Sequence, residues 1–357
     1  MRITELQLKH FRCFLDKKLS FEKHVIVIEG LNGSGKTSLL EALHYLCYLR
    51  SFRTYSPKEL MQFDQNDFFI KVGFHDEVGP HELQVGFSDK KRLVKLDKKA
   101  ITSYKQLMDH YRIITITEDE LGLVKEGPEV RRNFLDQAIA LFKPDFLLEV
   151  RKLRQLVEQR NALLKKGHFS QESYALWTQQ LWKHSKSIQK ERITMLKSLQ
   201  EATSELLEAY FPNLSIKLAY KAKRIDQNDD LSDFLEKNSR LQHDEERYGR
   251  SLFGAHLDDF SILLQDKRSR TFASRGQQKL IVLLITIAQA QQLIKKRGSV
   301  ILLLDDFMTD FDQSRCTTLL DILHKLGCQL IFTTPSRQNF LADQLVSQGA
   351  QYIRLPN

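Results

Sequence analysis

Apolar and polar residues alternate over the first part of the chain, between positions 3 and 21, and lead into a continuous apolar run at 25–28. A period of about two is typical of strands that bury one face, and a short continuous run is typical of a strand buried on both faces. Over 39–49 the apolar residues recur with a helical period. Residues 30–37 are therefore predicted to join a buried strand to an amphipathic helix.

The remaining strand pattern falls into two groups. Strand-like stretches at 68–74, 83–87 and 93–96, separated by polar turns, predict an antiparallel extension beside the main sheet. The last hundred residues alternate helix-like and strand-like segments, which is typical of a parallel sheet with covering helices. The predicted elements there are a helix over 277–295, a strand over 300–304, a helix over 314–326 and a strand over 329–333.

Residues 143–209 consist almost entirely of helix formers, with apolar positions three, four or seven apart. This spacing predicts two amphipathic helices with a break near 167–170. Trp177 and Trp182 fall on the apolar spacing of the second helix. We expect both rings to pack in a core rather than to stack on bases.

The amino-acid composition excludes several classes of protein. With 42% hydrophobic and 28% charged residues, the chain of 357 residues is neither collagen-like nor largely disordered. The formal net charge of +9 favours a polyanionic partner. The four cysteines form no C-x-x-C pair, so no zinc site or disulfide framework is predicted. Because no secretion signal or membrane-spanning apolar run is present, we expect a cytoplasmic protein without a membrane partner.

The junction between the first buried strand and its helix fits G-x-x-x-x-G-K-[ST] at every fixed position. Glycines let the backbone wrap around phosphates, the lysine neutralises the β- and γ-phosphate oxygens, and the threonine hydroxyl reaches Mg²⁺. We predict catalytic and metal-binding roles for Lys36 and Thr37, respectively. The predicted nucleotide-binding residues are Gly30, Leu31, Asn32, Gly33, Ser34, Gly35, Lys36, Thr37 and Ser38.

A second motif indicates that the bound nucleotide is hydrolysed. The apolar strand at 300–304 ends in Asp305 and Asp306. We predict that Asp305 holds Mg²⁺ through water and that Asp306 orients or deprotonates the attacking water. Capping of the next helix is the simpler alternative, but it explains neither the apolar run nor the phosphate loop. Because adjacent strand residues point to opposite sides, the two carboxylates are expected to face opposite directions.

Ser274-Arg275-Gly276-Gln277 opens the long helix that precedes this strand. S-x-G-Q in this place resembles the signature segment of ABC-type ATPases, which meets the γ-phosphate held by the opposite subunit. Ser274, Gly276 and Gln277 are thus predicted to contact nucleotide, since a helix N-terminus is an anion site. An ordinary N-cap is the alternative. Thr309-Asp310-Phe311-Asp312 takes the place of the D-loop, with Asp312 facing the partner's site.

Further segments make the resemblance specific. Residues 6–12 are close to L-x-L-x-x-F-R, residues 50–54 to K-S-x-R-T, and residues 123–136 to L-V-K…R-R-x-F-L-D. The chain resembles the RecF family, short bacterial relatives of the SMC-type DNA-repair ATPases, over essentially its whole length. The resemblance implies that Arg12 approaches the nucleotide phosphates.

The resemblance also implies an architecture and a function. The fold class is α/β, a P-loop ABC-type ATPase head with a mixed sheet, covering helices and an inserted helical arm. The expected boundaries are 1–140 and 241–357 for the head and 141–240 for the arm. ATP and Mg²⁺ are the implied cofactors of a weak DNA-stimulated ATPase. The implied partners are duplex and gapped DNA, a second copy in an ATP-dependent homodimer, RecR with RecO, and the RecA that they load in recombinational repair and replication maintenance.

Three segments depart from the family's patterns. G-P-H-R-D-D reads Gly254-Ala255-His256-Leu257-Asp258-Asp259, so that Leu257 replaces an arginine. S-E-L-D of the D-loop has Phe311 in place of leucine, and P-E-D-L reads Glu118-Asp119-Glu120-Leu121 without its proline. A divergent lineage and a partial loss of function both explain these changes.

A basic run on the second arm helix is a candidate DNA contact. Lys183, Lys186 and Lys190 share that helix with Arg192 and Lys197. Contacts of this kind go to phosphates, carry no sequence information and weaken with salt. A solvated charged face explains the run equally well.

Three other classes of protein could contain parts of this sequence pattern. The ATPase subunit of an ABC-type transporter needs a switch histidine after the last strand, where this chain has Thr333-Thr334-Pro335, and has no use for a basic arm. A chromosome-organising tether needs a coiled coil several times longer than residues 143–209. An ATP-gated DNA-binding module in which hydrolysis has lapsed keeps the same fold, and ATPase assays with and without duplex DNA distinguish it.

Overall fold

The computed structural model describes residues 1–88, 91–167, 169–335 and 340–356, except for the side chains of Tyr104, Thr309 and Asp310. The chain divides into two units, 1–120 with 286–357, and 121–285. The second unit is longer than the predicted arm at 141–240. It is longer because a helix before the arm helices and a small sheet after them pack on the arm helices.

A parallel sheet forms part of the first unit. Its strands are β3 (Val25–Glu29), β8 (Ile113–Ile116), β12 (Ile301–Leu304), β13 (Gln329–Thr334) and β14 (Gln351–Arg354). Their order is β14-β3-β13-β12-β8, with every pair parallel. All residues of β12 and β13 are buried, as their continuous apolar runs predict. The loops that follow β3 and β12 therefore start at the same end of the sheet, where the strands have their carboxyl ends, on either side of β13.

An antiparallel sheet of six strands completes the strands of the first unit. Its order is β2-β1-β4-β5-β6-β7. Buried and less buried residues alternate along β4, which confirms the predicted extension over 68–96. The strands are β1 (Arg2–Phe11), β2 (Phe14–Ser20), β4 (Asp67–His75), β5 (Pro80–Ser88), β6 (Lys91–Leu96) and β7 (Lys99–Ala100).

The helices of the first unit are α1 (Lys36–Tyr48), α2 (Tyr104–His110), α11 (Gln313–Lys325) and α12 (Phe340–Ser347), and α10 (Arg275–Arg297) crosses the boundary between the units. The predicted helices at 277–295 and 314–326 are confirmed within two residues. In the described parts of the chain, no helix has both the length and the apolar content to cross a membrane.

The second unit is built on α5 (Phe146–Lys166) and α6 (Gln171–Tyr210), which confirm the two predicted helices and their break. His168 in the break lies outside the described residues. Leu181 and Ile188 are fully buried, and Trp177 and Trp182 pack against the same core, as predicted. The other elements are α3 (Gly122–Lys125), α4 (Pro128–Phe142), β9 (Ile216–Lys221), α7 (Leu231–Lys237), α8 (Leu241–Tyr248), β10 (Asp259–Leu264), β11 (Lys267–Arg268) and α9 (Ser269–Phe272).

A buried ion pair joins three helices of this unit. Arg160 of α5 is 0% exposed and donates to both carboxylate oxygens of Glu245 in α8, at 3.0 and 2.6 Å. The guanidinium also donates to Thr178 Oγ1 of α6 at 3.0 Å and to Ser251 Oγ at 2.9 Å. The Tyr174 hydroxyl of α6 donates to Glu245 at 2.7 Å. Removing one partner of such a pair leaves an uncompensated buried charge.

We expect Glu245→Gln to lower the free energy of unfolding of the second unit by about 3–5 kcal/mol, because Arg160 keeps its charge and loses its counter-ion. Urea unfolding followed by tryptophan fluorescence measures it, since both tryptophans of the chain pack in this unit. Glu201→Gln is the control, because Glu201 is exposed and lies 4.0 Å from Lys197. Equal shifts in the two variants would contradict the structural role of the pair.

Candidate nucleotide site

The loop between β3 and α1 leaves little room for a side chain at two motif positions. A Cβ atom on Gly30 would lie 2.2 Å from Ser34 Oγ. Gly35 has a φ of +95°, and a Cβ there would lie 2.5 Å from the Phe14 ring. The loop therefore turns tightly and directs the chain into α1 at Lys36.

Lys36 is folded into this loop. Its side chain is buried, and its Nζ donates to the carbonyl oxygens of Gly30 at 2.9 Å and Leu31 at 3.3 Å. The Ser34 hydroxyl is buried without a hydrogen-bond partner among the described residues. An ammonium group that donates to two neutral carbonyls and a buried hydroxyl without a partner among the described residues suit an anionic ligand such as a phosphate.

The first turn of α1 adds backbone donors to the same loop. Its first helical hydrogen bond runs from the Leu39 N–H to the Gly35 carbonyl at 2.9 Å, so the N–H groups of residues 36–38 lie before it. Thr37 is half-buried and Ser38 is buried, whereas Leu31, Asn32 and Gly33 are exposed. The predicted phosphate residues thus form a loop with a polar interior and an exposed tip.

The two aspartates after β12 reach a common hydroxyl on the neighbouring strand. Thr333 Oγ1 of β13 lies 2.8 Å from Asp305 Oδ1 and 3.2 Å from Asp306 Oδ1, and the Asp306 N–H donates to it at 2.8 Å. The expectation that the carboxylates face opposite directions is wrong. The strand ends at Leu304, and Asp306 has a φ of +48°, so strand alternation does not extend to it.

Charges from three elements act on Asp306. Burial raises the pKa of its carboxyl, and the charges of Asp305 and Glu118 act in the same direction, whereas the Lys36 ammonium lowers it. The phosphate loop and the aspartates are therefore close enough to interact. Reasoning from the sequence missed Thr333 and Glu118 as members of this site. Their only signal was their position, since each lies at or just after the carboxyl end of a strand that neighbours β12.

The donor set fits Mg²⁺. Carboxylate and hydroxyl oxygens are the ligands that this ion prefers, and Asp305 and Thr37 would supply them beside the phosphate loop. The ion would neutralise negative charge on the phosphates of a bound nucleotide.

Arg12 is anchored to α1. Its guanidinium donates to both carboxylate oxygens of Glu41, at 2.8 and 2.7 Å, and to the Glu59 carbonyl at 2.7 Å. Glu41 is 0% exposed, and it also accepts from Ser51, while Arg53 lies 3.8 Å from it. The motif residues at 50–54 therefore fold onto the helix that follows the phosphate loop. A contact of Arg12 with phosphate stays a prediction.

Ser274 caps the start of α10, as the alternative to a nucleotide contact predicts. The Gln277 N–H donates to Ser274 Oγ at 3.3 Å, and the Ser274 N–H donates to Gln277 Oε1 at 2.9 Å. Ser274 is exposed, and a Cβ added to Gly276 would meet no described atom within 4 Å. A capped, open helix end can still meet another molecule, so the contact with a partner's phosphate stays a prediction.

Asp312 also caps a helix. Its carboxylate accepts from the Arg315 N–H at 2.9 Å at the start of α11, and its side chain is 58% exposed. The Phe311 ring lies 6.5 Å from that of Phe307. The side chains of Thr309 and Asp310 lie outside the described residues.

The basic run on α6 divides into two groups. Lys183 and Lys190 are exposed. Lys186 Nζ donates to the Asp229 carbonyl at 2.5 Å and lies 4.9 Å from the centre of the Trp182 ring. Arg192 is buried and paired with Asp136. Lys183 and Lys190 therefore remain the candidates for contact with DNA phosphates.

The departure at Leu257 lies at the surface of its unit. Leu257 is 36% exposed, while the adjacent Asp258 is 0% exposed and accepts from Tyr220 at 2.6 Å and Gln189 at 2.8 Å. The Ala255 carbonyl accepts from Arg192 at 2.6 Å. The replacement of the family's arginine therefore occurs beside a buried polar network and not within it.

The chain is similar to known proteins over most of its length. The DNA replication and repair protein RecF of Geotalea daltonii is 29% identical over 355 residues, covering 97% of this chain and 96% of that protein. The protein of the same name from Bacillus mycoides is 31% identical, covering 94% and 92%. The structure of the recombination mediator protein RecF-ATPrS in the RecFOR pathway matches with a TM-score of 0.84 at 25% identity, covering 94% of this chain and 93% of that one.

An Smc head bound to the C-winged helix domain of ScpA matches with a TM-score of 0.56 at 15% identity, covering 96% of this chain and 91% of that one, and shares the fold alone. The RecF and Smc head structures together confirm the predicted fold, an α/β ATPase head with a helical arm. The family model described as RecF/RecN/SMC N terminal domain matches residues 2–350. The chain belongs to that family.

Proposed function

We propose that the protein is an ATP-dependent DNA-binding protein of recombinational repair and replication maintenance that hydrolyses ATP slowly, with stimulation by DNA. The observation that carries the proposal is that the Lys36 ammonium of the phosphate loop acts on the charge of Asp306, which shares the Thr333 hydroxyl with Asp305. The DNA context comes from the relatives named DNA replication and repair protein RecF.

Each residue of the nucleotide site has a separate role in phosphoryl transfer. Lys36 leaves the loop carbonyls of Gly30 and Leu31 and neutralises the phosphate oxygens. Asp305, fixed by the Thr333 hydroxyl, holds the metal with Thr37. Asp306, whose pKa is raised by burial, takes the proton of the attacking water. A base whose proton affinity is raised accepts that proton more readily than an exposed aspartate.

The proposed assembly is a dimer that closes on ATP. Each nucleotide is bound by Lys36 and Thr37 of one subunit and is covered by Ser274 and Gly276 of the other. The exposed, capped start of α10 supports this arrangement, since its N–H groups and dipole favour an anion. Closure positions the DNA, and hydrolysis opens the dimer. Action with RecR and RecO in loading RecA belongs to the same proposal, and the RecFOR pathway named for the matching RecF structure supports it.

A second candidate function keeps ATP-gated DNA binding and lacks hydrolysis. The departures at Ala255, Leu257 and Phe311 favour it, because they fall in segments that the family otherwise shares. The next experiment separates the two candidates, since only the first includes turnover.

Asp306→Asn is expected to retain ATP binding and to lower the ATPase rate by at least ~100-fold, because the proton acceptor is lost. Asparagine tolerates the left-handed φ of this position, so the fold is kept. Asp305→Asn is expected instead to weaken Mg²⁺-dependent ATP binding. Binding of a fluorescent ATP analogue and steady-state ATPase, each with and without duplex DNA, measure both effects. Asp321→Asn, exposed on α11, is the control, and a wild-type rate in Asp306→Asn would refute the assignment.

Ser274→Arg is expected to leave ATP binding nearly intact and to block ATP-dependent dimerisation, because Ser274 is exposed and the proposal assigns it to the nucleotide of the other subunit. Sedimentation with ATP, ADP and no nucleotide measures the association state. Ser239→Arg places the same side chain on an exposed turn of the same unit and is the matched control. Lys36→Met should lose both ATP binding and dimerisation. Loss of ATP binding in Ser274→Arg would show that the contact lies within one subunit.

The DNA contact on α6 is expected to involve Lys183 and Lys190 more than Lys186, whose ammonium already contacts a carbonyl and an indole ring. Replacing Lys183 and Lys190 by Gln should reduce the slope of log K against log salt by up to ~0.9 for each DNA phosphate that is no longer neutralised. Lys186→Gln should change it less. Lys91→Gln with Lys99→Gln removes two exposed charges from the first unit as the control. An unchanged slope in the α6 double variant would make that face a solvated one.

A further inference from the structure

Three metal-binding side chains meet in the first unit, apart from the nucleotide residues. Asp76 follows β4, His81 lies in β5, and His110 is the last residue of α2. One ligand atom from each lies within 4.8 Å of the other two, which makes this the one such group found in the described ranges of the chain. Asp76 and His81 have side chains only 13% exposed, and that of His110 is 38% exposed.

The distances in this group suit a small divalent ion. His81 Nε2 lies 3.2 Å from Asp76 Oδ1, and His110 Nδ1 lies 3.4 Å from Asp76 Oδ2. Two ligands of a tetrahedral zinc ion, each ~2.0–2.1 Å from the metal, are ~3.3–3.4 Å apart, so each imidazole lies at a suitable distance from one of the two Asp76 oxygens. A mixed set of imidazole and carboxylate is typical of zinc and related transition metals, whereas Mg²⁺ and Ca²⁺ prefer oxygen alone.

Surrounding groups fix two of the ligands. Asp76 Oδ1 accepts from the N–H groups of Val78 at 2.7 Å and Gly79 at 3.2 Å, within the turn between β4 and β5. His81 Nδ1 lies 2.7 Å from Asp97 Oδ2, which leaves Nε2 directed at the cluster. Asp97 is itself held by the Glu82 N–H at 2.9 Å. A carboxylate on the remote nitrogen of a histidine is the usual support of a metal-binding imidazole.

We propose that Asp76, His81 and His110 bind one divalent transition-metal ion of the zinc class, with water in the fourth position. The ion connects the β4–β5 turn to the end of α2, so its role is to stabilise this part of the first unit. No residue of the nucleotide site takes part. The metal site can therefore be tested separately from ATP binding.

Zinc titration of the full chain tests the proposal. The protein is first dialysed against a chelator, and Zn²⁺ is then added in competition with a chromophoric indicator, without nucleotide. We expect one tight equivalent in the wild type and none in His110→Ala or Asp76→Asn. Asp97→Asn should keep the equivalent with affinity lowered about 10- to 100-fold, because only the support of His81 is removed.

His10→Asn is the matched control, because it removes a histidine from another His–Asp pair, 2.7 Å from Asp67, that belongs to no three-ligand group among the described residues. It should bind zinc as the wild type does. Zinc should also raise the midpoint of thermal unfolding of the wild type and leave that of His110→Ala unchanged. Equal zinc binding by the wild type and His110→Ala would place the ion elsewhere and overturn the proposal. No binding by the wild type would reduce the cluster to a network of hydrogen bonds and overturn it as well.

Discussion

The chemistry of the first unit depends on the register of three parallel strands. Phe332 of β13 pairs with Val27 of β3 on one side and with Leu304 of β12 on the other. Thr333 consequently stands one residue further along, beside the positions where β3 leads to the phosphate loop and β12 leads to Asp305. A shift of one residue would turn its hydroxyl to the other face of the sheet. Because both faces of β12 and β13 are buried, their apolar pattern alone does not set this register, which is held by the backbone pairing of β13 with β3 and β12.

The second unit contains buried polar pairs beside its apolar core and its small sheet. Arg160 pairs with Glu245, and Arg192 pairs with Asp136, each from a different helix. Such pairs contribute little net stability when compared with apolar residues, but an arrangement that separates them is costly. Their charges were visible in the sequence as part of a basic helix. Burial gives Arg192 a structural role that its neighbours Lys183 and Lys190 do not share.

Periodic and glycine-dependent features could be predicted from the sequence, and features that depend on tertiary neighbours could not. The phosphate loop was predictable because its glycines stand at a fixed spacing, and the left-handed φ of Gly35 favours glycine there. The conformation of Asp306 was not, because the strand pattern contains no signal that the chain turns left-handed there. The cluster of Asp76, His81 and His110 follows no metal-binding spacing. It forms because β5 pairs with β4 and because α2 ends beside their turn.

The contacts of Thr333 distinguish two aspartates that the sequence leaves equivalent. Its hydroxyl carries one proton, and the shorter distance, 2.8 Å against 3.2 Å, assigns that proton to Asp305. Asp305 is then a fixed, hydrogen-bonded carboxylate, which is what holding a metal requires. Asp306 has the raised pKa and a strained left-handed backbone, features that proteins retain where the surrounding structure holds a functional group in position. The same hydroxyl therefore supports the proposed roles, in which Asp305 holds the metal and Asp306 accepts the proton.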